Sequence, residues 1–90
     1  MSAFAAALAA LPLGTFTGTS AGRRYVVTKS AFSGGRAIKL VAEELGGADY
    51  ISLNWYDLGA GPLLKPCEMA EAKVIAFVLG VSVDNPPGDA

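Results

Sequence analysis

The sequence contains no histidine and a single cysteine, Cys67, among its 90 residues. The lack of histidine removes the commonest general base and the commonest metal ligand of protein sites. A single cysteine excludes an internal disulfide and favours a reducing compartment, so we predict a cytoplasmic protein. Because the chain offers no evident acid–base pair, we expect neither an enzyme nor a bound metal or cofactor.

Charged residues are also scarce: they make up 17% of the chain, against 52% hydrophobic residues. Such a composition is typical of a compact folded chain rather than a disordered one. An Ala-rich apolar stretch at residues 3–11 is too short to span a bilayer, and we predict no membrane contact. A domain of roughly 60 residues buries only about 60% of its unfolded surface, so we also predict a homodimer.

Two Gly-Gly pairs, Gly34-Gly35 and Gly46-Gly47, predict the tips of two tight hairpins, since glycine readily adopts positive φ angles. Counting outward from these tips pairs Ala42 with Val27 on one side and with Ile51 on the other. Both hairpins then agree on one apolar face, and a one-residue slip would scatter it. The face contains Tyr25, Val27, Ala31, Ile38, Leu40, Ala42, Ile51, Leu53 and Trp55, together with Lys29. We expect this lysine to lie at an edge of the sheet or to reach past it.

A helix is the alternative interpretation of residues 36–45, because their apolar positions also fit helical spacing and Gly46 follows as a C-terminal cap. In that helix the basic Arg36 and Lys39 would lie at the N-terminus and the acidic Glu43 at the C-terminus. The helix dipole disfavours this distribution of charge. The strand is therefore favoured, and the helix stays open as the alternative.

The whole pattern predicts an α+β fold: a four-stranded antiparallel meander followed by a C-terminal helix (ββββα), with a short Ala-rich N-terminal helix. The predicted elements are a helix at residues 2–10, strands at 24–32, 36–44, 49–58 and 63–67, and a helix at 68–79. A weak alternation at residues 15–17 suggests a further short strand. The predicted regions are a partly ordered N-terminal segment at 1–22, the α+β domain at 23–82 and a disordered tail at 83–90.

The predicted C-terminal helix has almost no polar stripe, so it must be covered on more than one side. One cover is the sheet. The other is either the N-terminal segment or a second copy of the chain. For the second case, we predict that the dimer interface contains Val74, Phe77 and Val78.

The outer face of the predicted sheet brings cations and aromatic rings together. Its candidate nucleic-acid-binding residues are Arg24, Lys39, Tyr50, Asn54 and Tyr56. Sheets with stacking rings and basic flanks hold single-stranded nucleic acid in many proteins. The alternative is a solvated face stabilised by cross-strand pairs such as Lys39 with Asn54.

Cys67 is the one conventional nucleophile, and it lies at a predicted junction between a strand and a helix, a setting in which some proteins activate a cysteine. No histidine is present to act as its base, and Glu68 beside it disfavours the thiolate. We therefore predict a buried structural cysteine.

Four segments resemble a family of small, uncharacterised bacterial proteins: Tyr25-Val-Val-Thr-Lys-Ser, Lys39-Leu-Val-Ala-Glu-Glu-Leu-Gly-Gly, Asp49-Tyr-Ile-Ser-Leu-Asn and Lys65-Pro-Cys-Glu-Met. That resemblance covers residues 24–77 and implies no known activity. In the order of its predicted elements, four strands and then one helix, the chain is also similar to transcriptional coactivators of the positive-cofactor-four type. This second similarity implies a homodimer that binds single-stranded DNA.

From the sequence we expect a non-catalytic binding or regulatory module whose ligand is single-stranded nucleic acid, bound by the outer sheet face. The alternative is a structural or protein–protein interaction module without a ligand, in which the apolar helix or a sheet edge recruits a partner. An enzyme that uses Cys67 is the third hypothesis.

Overall fold

A single six-stranded antiparallel sheet, covered on one face by two helices, forms the fold of the chain. The computed structural model describes residues 2–57, 59 and 61–84. The elements are α1 (Ser2–Ala10), β1 (Gly14–Ser20), β2 (Arg23–Phe32), β3 (Ala37–Glu44), β4 (Tyr50–Asp57), β5 (Pro62–Pro66), α2 (Glu71–Gly80) and β6 (Ser82–Val83). The strands lie in the order β5-β4-β3-β2-β1-β6, and each neighbouring pair is antiparallel.

The two central hairpins have the predicted register. Ala42 pairs with Val27 of β2 and with Ile51 of β4. The first tip is not the tight two-residue turn predicted. The last strand pair there is Phe32 with Ala37, and a 3₁₀ turn at Ser33–Gly35 connects the strands, with φ angles of +69° and +88° at Gly34 and Gly35. Because residues 37–44 form strand β3, the helical interpretation of this segment is wrong.

One core lies between the sheet and the helices. Its buried members are Phe4, Leu8, Leu11, Tyr25, Val27, Ile38, Leu40, Ala42, Ile51, Leu53, Val74, Phe77 and Val78. Helix α1 contributes Phe4 and Leu8, and it packs against α2 as well as against the sheet. The N-terminal segment is therefore the second cover that the apolar α2 needs.

Lys29 is buried within this core, with 4% of its surface exposed. Its Nζ donates hydrogen bonds to the carbonyl oxygens of Leu8 (2.7 Å), Ala9 (3.2 Å) and Leu11 (2.7 Å). The last carbonyls of a helix lack partners within the helix and carry a partial negative charge, so a lysine ammonium caps them well. The expectation that Lys29 lies at an edge or reaches past the face is wrong. Its burial lowers the pKa of the ammonium.

The sheet has six strands, whereas the sequence predicted four. The predicted ββββα order is therefore not confirmed. Strand β1 is full length and pairs with β2 through a two-residue turn at Ala21-Gly22, whose φ angles are +52° and +78°. Strand β6 returns to pair with β1. Strand β1 gives only a weak alternation of apolar and polar residues, because Phe16 is its one large apolar residue and the others are threonine, glycine and serine. The sequence pattern therefore did not predict its full length.

Helix α2 begins at Glu71, three residues later than predicted. Glu68 has a φ angle of +60° and is not helical, so it lies outside the first turn of the helix. Strand β5 lies at an edge of the sheet, the position that Pro66 indicates. Of the predicted disordered tail at 83–90, the structure describes Val83 and Asp84, and the other positions lie outside the described residues. No helix in the described part of the chain is long and apolar enough to cross a membrane.

Candidate functional site

The face of the sheet opposite the helices is left open by every element that the structure describes. Strand pairing aligns four of its side chains across β2 to β5 in what we term the basic row: Ser30, Lys39, Asn54 and Lys65. Neighbouring strands lie about 4.8 Å apart, so the backbones of Lys39 and Lys65 are about 10 Å apart with Asn54 between them. Both lysines are exposed.

An apolar row lies next to the basic row on the same face. It consists of Phe32, Ala37, Tyr56 and Leu63, again one residue from each of four neighbouring strands. Phe32 is 55% exposed and Leu63 is 49% exposed, whereas Tyr56 is half-buried. Residues two apart on one strand are about 7 Å apart, so the Tyr56 ring is within reach of the lysines of the basic row.

The other half of the open face has a different electrostatic character. Arg24 donates from Nε to Asp84 Oδ2 at 3.3 Å, so its charge is partly neutralised. Tyr50 pairs across the sheet with Glu43. The centroid of the Tyr50 ring at the start of β4 lies 5.8 Å from the Nζ of Lys73 on α2. By strand register the five predicted binding residues share one face, but they fall into two groups. Lys39, Asn54 and Tyr56 lie together, while Arg24 and Tyr50 lie beside carboxylates.

The half that contains the two rows is positively charged. Within the described residues, the basic row and the apolar row contain two lysines and no carboxylate. Arg36 is exposed in the turn at the end of the apolar row and donates from Nε to the backbone oxygen of Asp57 at 3.1 Å. The exposed Asp57 follows Tyr56 at this corner, but by strand alternation it lies on the other face of β4.

Sequence reasoning missed three residues of this surface, Lys65, Leu63 and Phe32. Lys65 and Leu63 belong to β5, which follows a turn without a Gly-Gly tip, so counting outward from the turn does not define their register. The position of Phe32 could have been predicted, because it lies two residues after Ser30 on β2 and so faces the same side of the sheet. The register of the first hairpin contained the signal for its position.

Cys67 lies beside the basic row and is half-buried, not buried as predicted. Its backbone N–H donates to the carbonyl oxygen of Ser52 at 3.0 Å, which aligns it with the open face. The amide of Asn54 donates to its Sγ at 3.5 Å. No acidic side chain among the described residues is hydrogen bonded to the thiol. The described residues also contain no group of three or more acids or cysteines placed to hold a metal.

The three predicted interface residues of α2 point into the chain's own core. Val74, Phe77 and Val78 are 0%, 3% and 2% exposed. The exposed residues of α2 are Glu71, Ala72, Lys73, Ala76, Leu79 and Gly80. A partner that approaches this helix would therefore meet a largely small and charged surface.

A second polar cluster, which sequence reasoning missed, lies on the helix side of the sheet. The Tyr25 hydroxyl donates to Asp49 Oδ2 at 2.7 Å, and Lys73 Nζ donates to Asp49 Oδ1 at 2.7 Å. Hydrogen bonds from Lys73 and Tyr25 hold the pKa of the Asp49 carboxyl below its usual value. Burial, followed by the bond to Asp49, raises the pKa of the Tyr25 phenol.

The described surface thus offers two sets of functional side chains: cations and rings on the open face, and the Tyr25–Asp49–Lys73 cluster on the helix side. They belong to opposite faces of the same sheet. Comparisons of the chain with models of known protein families, with curated proteins and with solved structures give no match.

Proposed function

We propose that the chain is a non-catalytic binding module that holds single-stranded nucleic acid on the open face of its sheet. One observation carries this proposal: the basic row lies directly beside the apolar row. Lys39 and Lys65 flank Asn54 within the basic row, and Tyr56 of the apolar row lies next to Asn54 on β4. Each chemical component of a single strand has a complementary side chain on this surface.

The phosphates of the strand are the partners of the two lysines. Lysine ammonium groups bind phosphate by charge, release condensed counterions and so make the affinity depend on salt. The two rows contain no carboxylate among the described residues, which favours phosphate binding. Arg24 contributes less, because Asp84 already accepts a hydrogen bond from its guanidinium.

The bases are the partners of the rings and of the amide. Tyr56 and Phe32 offer aromatic faces on which unstacked bases stack, and stacking of this kind tolerates any base. The Asn54 amide has both donors and an acceptor for a base edge. Bases inside a duplex are already stacked, so an open sheet face selects a single strand.

Fluorescence anisotropy with a labelled single-stranded oligonucleotide tests the proposal. Two lysine–phosphate contacts predict that the affinity falls with salt at a log–log slope of about −1.4. Either Lys39→Gln or Lys65→Gln makes the slope shallower by about 0.7. Tyr56→Leu weakens binding by roughly 1 to 3 kcal/mol and leaves the slope unchanged.

Arg24→Gln is the matched control, because it removes one positive charge from the other half of the same face. We expect its slope to stay close to that of the wild type. Absence of binding at low salt would contradict the proposal. So would a slope that responds to Arg24→Gln but not to the two lysine variants.

The exposure of Phe32 and Leu63 favours a second candidate function, a protein-interaction module that self-associates through the apolar row. Their side chains are 55% and 49% exposed, and Tyr56 joins them across the sheet. A homodimer formed this way predicts a concentration-dependent mass in sedimentation equilibrium, and the double variant Phe32→Ser, Leu63→Ser shifts it to monomer. A wild-type chain that is monomeric at high micromolar concentration would contradict this candidate.

A further inference from the structure

A cavity of about 370 Å³ lies on the helix side of the sheet, beside the Tyr25–Asp49–Lys73 cluster. It is open to solvent and is bounded by α2, by the start of β4 and by the turn that joins β1 to β2. Its volume lies within the range of about 300 to 1,000 Å³ that is usual for small-molecule sites. The open sheet face is on the other side of the same sheet, so the two sites are separate.

The walls of the cavity are apolar and leave room for a ring. Ile51 and Phe77 belong to the core and form part of the lining. The Phe77 ring is fixed edge-to-face against Tyr25, with ring centroids 5.0 Å apart. The lining also includes the small residues Ser20, Ala21, Ala76 and Gly80, which do not fill the space.

The polar rim has unused donors, and its main acceptor, the Asp49 carboxylate, is partly occupied. Both carboxylate oxygens of Asp49 already accept a hydrogen bond, one from Tyr25 and one from Lys73. The Lys73 ammonium has three donors, of which Asp49 takes one, and its side chain is 41% exposed. Lys73 therefore has two donors left for an anionic group at the rim.

We propose that this cavity binds a small monocarboxylate whose apolar body is a ring or a branched chain. The carboxylate accepts hydrogen bonds from the free donors of Lys73, and the apolar body lies against Phe77 and Ile51. A single negative charge fits best, because Asp49 is already at the rim and its backbone N–H donates to Glu44 nearby, at 3.2 Å. These two carboxylates repel a ligand with a larger negative charge.

Benzoate and benzamide are suitable probes, because they have the same ring and differ in charge. In a ¹H–¹⁵N NMR titration of the full chain, benzoate at millimolar concentration should give saturable shifts at residues 76, 77 and 80. Benzamide should bind more weakly by roughly tenfold or more, since it makes no charge-assisted contact with Lys73. Lys73→Met should weaken benzoate binding by a similar factor, while Lys39→Met on the open face should leave it unchanged.

A second variant keeps the test decisive if Lys73→Met disturbs the fold by leaving Asp49 unpaired. Ala76→Leu fills the cavity from an exposed helical position, preserves the Lys73–Asp49 contact and should abolish binding of both probes. The proposal is overturned if benzoate gives no saturable shifts, if benzamide binds as tightly as benzoate, or if Ala76→Leu binds benzoate like the wild type.

Discussion

The ammonium of Lys29 lies 2.7 Å from the carbonyl oxygen of Leu8, in the interior of the protein. This contact joins the middle of the sheet to the end of α1, and Leu11 provides a second carbonyl oxygen at the same distance. A charged side chain on an apolar face is costly unless its donors are satisfied. Here the unpaired carbonyls at the end of a helix satisfy them, and the lysine in turn satisfies the carbonyls.

Lys29→Met should therefore destabilise the fold although methionine is the more hydrophobic residue. The variant removes the ammonium donor from three carbonyl oxygens, of which that of Leu8 keeps the Leu11 N–H at 3.3 Å. Each buried carbonyl left without a donor costs roughly 1 to 3 kcal/mol before relaxation. Urea unfolding followed by circular dichroism measures the loss. Lys39→Met on the open face is the control and should change the free energy of unfolding by less than about 0.5 kcal/mol. A Lys29→Met protein as stable as the wild type would show that the cap is dispensable.

The lowered pKa of Asp49 makes the free energy of unfolding depend on pH in the acid range. Its pKa is lower in the folded chain than its ordinary value of 3.8, mainly through the hydrogen bond from Lys73. The ionised group therefore stabilises the fold above pH 3.8, and this contribution is lost as the pH falls through the lower, folded pKa. Asp49→Asn should cost roughly 1 to 3 kcal/mol at neutral pH. Its deficit against the wild type should shrink in acid.

Urea midpoints measured from neutral pH down to pH values below 3.8 test this expectation. Asp57→Asn is the control, because Asp57 is an exposed carboxylate at the end of β4. That variant should follow the wild-type profile. A deficit of Asp49→Asn that stays constant from neutral to acid pH would contradict the assignment.

Two glycines should respond in opposite directions to the same substitution. Gly35 has a φ angle of +88° with open space around it, so Gly35→Ala costs roughly 1 to 2 kcal/mol through backbone strain alone. Gly80 is the last residue of α2 and also has open space around it, but its φ is not in the left-handed region. Gly80→Ala should stabilise the chain by roughly 0.5 to 1 kcal/mol. Thermal unfolding of the pair measures both effects, and an equal change in both would be inconsistent with the hairpin turn.

Turn chemistry and strand periodicity are local properties, and they are sufficient to predict the central sheet. The Gly34-Gly35 tip determines which residues of β2 and β3 face each other, and the Gly46-Gly47 tip does the same for β3 and β4. The same register places Lys39, Asn54 and Tyr56 on one face by counting along the sequence alone. Those parts of the candidate site are therefore predictable.

Other parts depend on contacts between segments that are distant in the sequence. The pairing of Lys29 with Leu8 requires α1 to dock on the sheet, and the Asp49–Lys73 contact requires α2 to lie over the start of β4. Neither docking position leaves a periodic signal. Lys65 belongs to the basic row through the register of β5, which no turn signal defines. Strand β6, at two residues, is too short for any pattern.

The most direct test of the central claim is a map of backbone amide shifts as a single-stranded oligonucleotide is added at low salt. The proposed interface predicts that the largest shifts lie at residues 39, 54, 56 and 65, with little change in α1, in α2 or at residue 84. The double variant Lys39→Glu, Lys65→Glu should remove these shifts and keep the fold. Largest shifts in the helices or beside Arg24, or none at low salt, would contradict binding of nucleic acid by this half of the sheet.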